Sequence, residues 1–208
     1  MKERKWQLTM AATVRRKVEG FGELVVESSE RGLTMVTIEG FRPKGGSAGL
    51  KSASTVEDAG LRIREVKSGE LTRILNGKGP QGPGSRLDPK QAALEAADMI
   101  AAALGGDKDS WDRLGSLPVD PDALGKGFNA KVLGILRAVP AGCYITYGEL
   151  AEAAGSPGAA RAVGAAMASN RLLIVVPCHR VYGAGGRFTG FGGGLGMKAA
   201  LAAAEQQN

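Results

Sequence analysis

The chain contains little cysteine, little histidine and few aromatic residues. Its 208 residues include two cysteines and one histidine, and aromatic residues make up 5%. Two cysteines in a chain of this length form no disulfide framework, and with a single histidine they make no zinc-ligand cluster. We therefore expect a protein of the reducing cytoplasm without a structural metal.

A long apolar run is also missing from the sequence. No stretch approaches the ~20 apolar residues of a membrane span, and residues 1–6 carry charges without the apolar centre of a secretory signal. Hydrophobic residues make up 43% and charged residues 23%, as in soluble globular proteins. The length fits one domain of ordinary size or two small ones, and we expect no membrane partner.

Acidic residues are scarce in the C-terminal part of the chain. From Gly127 onward three acids face seven Lys or Arg, so this part carries four of the six net positive charges. Such an excess favours a polyanionic partner, for example nucleic acid. A mildly basic solvated surface explains the same count, and the charge alone leaves both interpretations open.

Glycine, in contrast, is abundant, with 32 residues. Residues 40–60 and 77–85 are rich in glycine and other loop-forming residues, which predicts loops or mobile insertions. Residues 183–194 contain seven glycines but match neither the dinucleotide-binding fingerprint nor the P-loop. There we expect a bare backbone that approaches a flat ligand closely and offers amide donors.

The N-terminal half alternates short apolar segments with turns. Residues 21–38 predict a β-hairpin with a polar turn, and residues 61–66 predict a further short strand. Asp88 and Pro89 predict the N-cap and the first turn of a helix that ends at Gly105. Residues 107–127 are polar and contain proline, so we expect them to connect two halves of the chain.

The C-terminal half is predicted to be mostly helical. Helices are expected at residues 129–139, 147–154, 156–170 and 195–204, and Thr146 with Glu149 forms a capping box for the second. The tight turn between the second and the third helix predicts a helix-turn-helix. The third helix carries one charge, Arg161, among small residues. It either packs closely in the core or enters a DNA groove, and the sequence leaves this choice open.

A scarce nucleophile and a scarce base stand side by side in Pro-Cys-His-Arg at residues 177–180. The apolar residues 172–176 precede them and predict a buried strand. A thiol beside an imidazole at the end of such a strand is typical of a reactive cysteine. Cys178 is therefore the candidate nucleophile and His179 its candidate base, whereas Cys143 is expected to be an inert, packed thiol.

Four sequence features follow one another in the C-terminal half. They are Thr-Tyr-Gly-Glu-Leu-Ala at 146–151, Ala-Ala-Arg-Ala-Val-Gly at 159–164, Asn170, and Pro-Cys-His-Arg-Val at 177–181. In this order they resemble the O6-alkylguanine-DNA alkyltransferase family over residues 127–205.

This resemblance implies an α+β fold in two domains. Residues 1–110 would form a ribonuclease H-like domain with a small antiparallel sheet, a helix and glycine-rich insertions. Residues 111–126 would be a linker. Residues 127–208 would form a mostly helical domain with a winged helix-turn-helix-like motif for DNA binding and alkyl transfer.

The resemblance also implies a reaction. A monomer would bind double-stranded DNA in the minor groove, rotate O6-alkylguanine out of the stack and move the alkyl carbon to Cys178. O4-alkylthymine is a second candidate substrate. The product is a thioether that water does not reverse, so each molecule acts once. Such a protein works without a cofactor in the cytoplasm, at the nucleoid of a prokaryote or in the nucleus of a eukaryote.

Catalytic roles follow from the same resemblance. His179 would take the proton of Cys178 through a bridging water, and Glu205 would orient and stabilise the imidazole. Tyr147 would donate a hydrogen bond to the departing base and protonate it. Arg180 is expected to hold the structure through an ion pair.

Binding roles are implied for two further groups. Arg161 would fill the gap left by the rotated base. Its expected companions at the DNA are Thr146, Ala160 and Gly164. Asn170 would brace the turn before the nucleophile. The expected contacts of the guanine are the carbonyls of Cys178 and Val181, the amide of Gly192 and the ring of Phe191.

The chain departs from the family at one point and leaves two other functions open. The family often has Tyr-Ser where this chain has Phe191 and Gly192, which keeps an aromatic wall and a backbone amide but removes two hydroxyl groups.

A non-catalytic alkyltransferase-like protein that marks lesions is one alternative function, and Cys178 argues against it. A Cys-His hydrolase is the other, and the helix-turn-helix beside the thiol favours DNA instead.

Overall fold

The computed structural model describes residues 12–42, 55–77 and 87–206. Most of the loops predicted at 40–60 and 77–85 lie outside these ranges. The strands within the described residues are β1 Ala12–Val18, β2 Gly22–Ser29, β3 Gly32–Glu39, β4 Arg64–Glu65, β5 Cys143–Thr146 and β6 Val181–Tyr182. The α-helices are α1 Ser68–Gly77, α2 Pro89–Leu104, α3 Lys108–Arg113, α4 Gly127–Leu136, α5 Tyr147–Ala153, α6 Ala160–Ala168 and α7 Gly194–Ala204.

A three-stranded antiparallel sheet, in the order β1-β2-β3, forms the N-terminal part of the fold. The predicted hairpin is confirmed as β2 and β3, and β1 is an additional strand on its edge. Helix α2 packs on β1 and β2 through a stripe of alanines that includes Ala93, Ala96 and Ala97. These small side chains allow the helix to lie close to the sheet.

The N-terminus of α2 is fixed locally, as the sequence predicts. The Asp88 carboxylate accepts hydrogen bonds from the amides of Lys90 and Gln91, and Pro89 occupies the first turn. These amides have no partner inside the helix, so an aspartate here stabilises its start. The helix ends at Leu104, before Gly105.

The predicted polar connection at 107–127 is structured and partly buried. Asp107 caps α3 by accepting from the Ser110 amide, and two short 3-10 helices follow at Leu114–Ser116 and Pro121–Leu124. Trp111 and Leu114 are buried in the main apolar core. Asp109, Asp112 and Arg113 are exposed, whereas Ser110 and Asp120 are buried, so the polar composition of this segment does not mark a solvated loop.

A second small sheet joins the two halves of the chain. Its strands run parallel in the order β4-β5-β6, with Arg64 opposite Cys143 and Ile145 opposite Val181. The strand predicted at 61–66 is reduced to its two residues in β4. Strand β5 leads into α5, and β6 follows the Pro-Cys-His-Arg segment. The sheet therefore brings the motif at residues 146–151 close to the motif at residues 177–180.

The predicted helix-turn-helix is present as α5 and α6, which pack against each other. The Thr146 hydroxyl accepts from the Glu149 amide and caps α5, as predicted. The return half of the capping box is absent within the described residues, because the Glu149 carboxylate accepts from the Ser68 amide instead. Helix α6 begins at Ala160, later than predicted, after Gly158 with a φ of 84°.

The strand predicted at 172–176 is wrong, although four of its five residues are buried. The segment pairs briefly with β3, where Leu173 donates to the Val36 carbonyl. It then reverses, and the Val176 amide donates to the Leu172 carbonyl at 2.8 Å. Ile174 has a φ of 75° at this reversal. A β-branched residue rarely adopts this left-handed conformation, so the surrounding contacts impose it.

Buried apolar residues from both sheets and from α2, α4, α5, α6 and α7 form one contiguous core. A smaller cluster of Val56, Tyr144 and Tyr182 lies beside it. The two halves are therefore joined by shared packing as well as by the chain.

Among the described residues, no helix has the length and apolar character to cross a membrane.

Candidate active site

Cys178 lies in a short 3-10 helix, Cys178–Arg180, between the reversal at Ile174 and β6. Cys178 and His179 therefore lie in a turn. Cys178 is 9% exposed, and His179 is buried completely. The cysteine is therefore almost completely buried, and bulk water is largely excluded from its thiol.

Asn170 contacts the sulfur and its supporting turn at the same time. Its side-chain nitrogen lies 3.2 Å from Cys178 Sγ and donates to the Val176 carbonyl at 2.9 Å. Its side-chain oxygen accepts from the Leu172 amide at 3.0 Å. Asn170 thus ties together the segment that reverses at Ile174, and it also places a donor on the nucleophile.

The environment of Cys178 both opposes and assists ionisation. Burial raises the pKa of the thiol, whereas the Asn170 hydrogen bond and the charge of Lys198 act in the opposite direction. Burial is the larger effect, because a thiolate loses hydration in this position. The resting group is therefore a thiol that needs a base.

The adjacent imidazole is held by a carboxylate. His179 Nε2 lies 2.8 Å from Glu205 Oε1, and both side chains are almost completely buried. Burial lowers the pKa of His179, and Glu205 only partly opposes this. A neutral imidazole that donates from Nε2 to Glu205 presents Nδ1 as an acceptor. Within the described residues Nδ1 is buried and has no hydrogen-bond partner, so it is free to take a proton.

Glu205 is anchored from three sides. Beyond His179, it accepts from Arg180 Nε at 2.8 Å and from the Gly142 amide at 2.8 Å. Burial opposes ionisation of this carboxyl, but the Arg180 charge and the His179 hydrogen bond outweigh it and hold the pKa of Glu205 at about 2. The predicted ion pair of Arg180 is confirmed, and it fixes the carboxylate that orients His179.

Two buried residues of the site were missed by the sequence analysis. The Trp111 ring lies 6.0 Å from the His179 ring and 6.0 Å from the Arg180 guanidinium carbon. Lys198 of α7 is buried, and its ammonium donates to the Val181 carbonyl at 2.5 Å. Lys198 could have been noticed as a lysine within the otherwise apolar segment 195–204, whereas no local pattern indicated Trp111.

Tyr147 and Thr146 stand at the start of α5, both half-buried. The Thr146 hydroxyl is used as the helix cap. A Cβ atom added to Gly164 of α6 would lie 4.0 Å from Tyr147 Cε1, so the tyrosine ring rests against that helix. No hydrogen bond joins the Tyr147 hydroxyl to Cys178 or His179 in the part of the chain that the structure describes. The ring is placed by helix packing.

The residues expected at the DNA lie on and beside α6. Arg161 is exposed and forms no ion pair within residues 12–42, 55–77 and 87–206, and Ala160 is half-buried. Beyond the nucleophile, Phe191 is half-buried against the main core and Gly192 is exposed. A Cβ atom at Gly192 would meet no other atom within 4 Å. The change from the usual serine is therefore not forced by crowding.

No group of three or more His, Cys, Asp or Glu side chains is placed to hold a metal ion among the described residues. Both cysteines are free thiols. The titratable groups that meet at Cys178 and His179 include a thiol, an imidazole and a carboxylate.

Comparisons with known proteins place these residues in a family. A family model described as 6-O-methylguanine DNA methyltransferase, DNA binding domain, matches residues 127–207. A methylated-DNA–protein-cysteine methyltransferase of Mycolicibacterium paratuberculosis is 42% identical over 129 residues, which are 62% of this chain and 74% of that protein. The chain belongs to the methylated-DNA–protein-cysteine methyltransferase family. A family member from Mycobacterium tuberculosis is 43% identical over 106 residues, 51% of this chain and 61% of that protein.

Solved structures of the family share the fold. The Mycobacterium tuberculosis O6-methylguanine methyltransferase superposes with a TM-score of 0.57 at 27% identity, covering 94% of this chain and 92% of that chain. The same organism's OGT in complex with DNA has a TM-score of 0.55 at 28% identity and covers 93% and 91%. The predicted family and the α+β fold class are thus confirmed.

Proposed function

We propose that this protein repairs alkylated DNA by moving the alkyl group of O6-alkylguanine to Cys178 Sγ. The observation that carries the proposal is the buried thiol with Asn170 on its sulfur and the His179–Glu205 pair beside it. This arrangement occurs in a chain of a family whose curated members are named for the transfer of methyl groups from DNA to a protein cysteine.

The first step is the removal of the thiol proton. His179 Nδ1 accepts it through a bridging water, and the imidazolium that forms is stabilised by Glu205 at 2.8 Å from Nε2. Because the pKa of Glu205 is about 2, the carboxylate stays ionised throughout. The Asn170 donor stabilises the thiolate as it develops.

The second step is the transfer itself. The thiolate attacks the alkyl carbon, the S–C bond forms and the O6–C bond breaks, so that its electron pair leaves with the guanine. Tyr147 donates the proton that the departing base needs, which makes guanine a better leaving group. The thioether product is stable in water, so one protein molecule removes one alkyl group.

DNA binding is assigned to the helix-turn-helix of α5 and α6. The exposed Arg161 of α6 and the DNA complex of a structural neighbour support this assignment. In our proposal Arg161 fills the gap of the rotated base from the minor groove, with Thr146, Ala160 and Gly164 close to the duplex. Rotating a base out costs roughly a few kcal/mol, and a side chain in the gap offsets part of this cost.

The guanine pocket is assigned to the segment after the nucleophile. The carbonyls of Cys178 and Val181 accept from the guanine amino group, the Gly192 amide donates to O6, and Phe191 provides the apolar wall. The proposal also includes two domains, residues 1–110 and 127–208, which are joined by the linker 111–126. We further propose that the protein is a monomer and that it acts at the nucleoid of a prokaryote or in the nucleus of a eukaryote.

Transfer of radioactive label from DNA carrying O6-methylguanine tests the function. Label should move to the protein up to one equivalent per chain and then stop. Cys178→Ser should accept none, and Cys143→Ser should behave as the unmodified protein does. Release of label over repeated turnovers would favour a Cys-His hydrolase, and tight binding without transfer would favour a lesion-marking protein; either result would refute the proposal.

A further inference from the structure

Lys198 is a buried lysine without an acidic partner. It lies on the face of α7 that packs against the Cys178–Arg180 turn, and its side chain is fully buried. Within the described residues no carboxylate pairs with it. Its ammonium donates to the carbonyls of Val181 and Thr189 and lies 4.3 Å from the centre of the Tyr182 ring. Lysine is rarely buried unless it is paired, so this position needs an explanation.

A purely structural role explains only part of this arrangement. The two carbonyls lie at the two ends of residues 181–189, so Lys198 closes this loop. A neutral donor such as an amide could make the same bonds without placing a charge inside the protein. Burying an ammonium group is costly, and the pKa of Lys198 is accordingly lowered to about 8 by burial.

The charges around Cys178 indicate what the ammonium adds. The positive charge of Arg180 is balanced by Glu205 at 2.7 Å. His179 is kept neutral by its burial, and Asn170 is uncharged. Lys198 is then the cation on the helix packed against this turn whose charge no described carboxylate neutralises, and its charge favours the ionised form of Cys178.

We infer that Lys198 is the counter-cation of the Cys178 thiolate, which it stabilises through its charge while its hydrogen bonds hold the loop of the guanine pocket. The inference rests on the proposed function, since it concerns the nucleophile of that reaction. Lys198 is thus a positioning residue in which one ammonium group serves both the sulfur and the Val181 carbonyl.

The reactivity of Cys178 should depend on pH through the charge of Lys198. The titratable groups that face Lys198 are Cys178 and His179 in the turn and the Tyr182 phenol in β6. Lys198 is charged at neutral pH and loses its proton as the pH rises through about 8. Support for the thiolate should therefore weaken above that pH in the unmodified protein.

Carboxamidomethylation of the full-length protein by iodoacetamide across pH 6 to 10 measures this support, because only the thiolate reacts. Peptide mapping separates Cys178 from Cys143, which serves as the reference within each molecule. Lys198→Gln, which retains donors for the carbonyls, should raise the pKa of Cys178 by about one unit and slow its reaction roughly tenfold at pH 7. Lys198→Arg, which retains the charge, should react at a rate nearer to that of the unmodified protein. An unchanged pKa of Cys178 in Lys198→Gln would overturn the inference.

A second measurement does not depend on folding of a Lys198 variant. NMR of the lysine side chains gives the pKa of Lys198 directly, in the unmodified protein and in Cys178→Ser. Ionisation of Cys178 at high pH should raise the apparent pKa of Lys198 above its value in Cys178→Ser, since coupled groups affect each other reciprocally. An equal pKa in the two proteins would contradict the inference. Both measurements are independent of DNA, so failure of the proposed function, seen as no alkyl transfer, is distinguishable from failure of this inference.

Discussion

Glu205 is the residue at which the contacts of the site converge. It binds His179, Arg180 and the Gly142 amide, and it is 2% exposed. Its negative charge sets the orientation and tautomer of the His179 imidazole. The Arg180 charge keeps Glu205 ionised, so that His179 and not Glu205 takes the proton of the thiol. The single charged residue near the C-terminal end of α7 therefore governs how the thiol is activated.

Acid unfolding should depend strongly on Glu205. A carboxyl whose pKa is lowered in the folded state stabilises the protein above its unfolded pKa, and this contribution is lost as the pH falls from about 4.5 toward 2. The lowering is worth about 3 kcal/mol of the free energy of unfolding. Denaturant titrations at pH 2 to 6 should show this loss in the unmodified protein and a flatter profile in Glu205→Gln. Glu95→Gln, an exposed control, should match the unmodified protein, and an equally steep profile in Glu205→Gln would contradict the assignment.

Asn170 should assist the chemistry of Cys178 in addition to bracing the turn before it. Replacing it by alanine removes the donor at 3.2 Å from the sulfur, and a hydrogen bond to a charged group contributes about 1.5–3 kcal/mol. The rate of reaction of Cys178 with free O6-benzylguanine should fall roughly ten- to a hundredfold. Asn129→Ala removes an amide that contacts Ser169 and should leave the rate unchanged. A similar loss in both variants would show that the effect is not specific to the thiol.

At the level of secondary structure, our proposal assigns DNA binding to α6 and the transfer chemistry to the Cys178–Arg180 turn. Arg161 is exposed on this helix, whereas Val163 and Ala166 are buried. One face of α6 therefore packs in the core and the other is available to DNA. The interpretation as a packed helix is confirmed for one face, and the interpretation as a DNA-contacting helix stays a prediction for the other.

Arg161→Ala should impair reaction with duplex DNA more than reaction with a free base. Only the duplex requires extrusion of the guanine, so the rate on O6-methylguanine DNA should fall at least tenfold, while the rate with free O6-benzylguanine stays nearly constant. Arg113→Ala, an exposed arginine of α3, controls for the loss of one positive charge. Equal losses on both substrates would contradict the role of Arg161.

Elements whose cause is local could be predicted from the sequence. The caps at Asp88 and Thr146 act within three residues, and the helices they begin were predicted correctly. The reversal at Ile174 could not be predicted, because contacts with Val36 of β3 and with Asn170 impose it. An apolar run predicts burial, but it does not predict the direction of the chain.

Site residues with a local sequence signal could likewise be predicted, whereas those with distant or backbone partners could not. The sequence pointed to Cys178 and His179 through their rarity and adjacency, and the structure places Glu205 against His179. Trp111 and Lys198 were missed because their partners are distant in sequence or are backbone carbonyls. Such contacts leave no periodic pattern in a single chain.

At the scale of the whole molecule, the active site depends on both halves. The Ser68 amide at the start of α1 donates to Glu149 of α5 at 2.7 Å, and the Arg64 amide donates to the Gly142 carbonyl beside β5. Trp111 extends from the segment between the halves to His179. The N-terminal half thus supports the helix-turn-helix and the catalytic turn directly.

The contiguous core predicts a single cooperative unfolding transition. In a denaturant titration, tryptophan fluorescence, to which the buried Trp111 contributes, and far-ultraviolet circular dichroism should give the same midpoint. The reason is that apolar residues of both halves lose their packing together. Two separated transitions would show that the halves unfold independently, in contradiction to the shared core.

Mass spectrometry of the protein after reaction with a duplex that carries O6-methylguanine shows which atom receives the methyl group. Our account predicts the mass of one methyl group per chain, located on the peptide that contains Cys178, together with restored guanine in the DNA. An unchanged protein mass after repair of the DNA, or a methyl group on Cys143 instead, would contradict it.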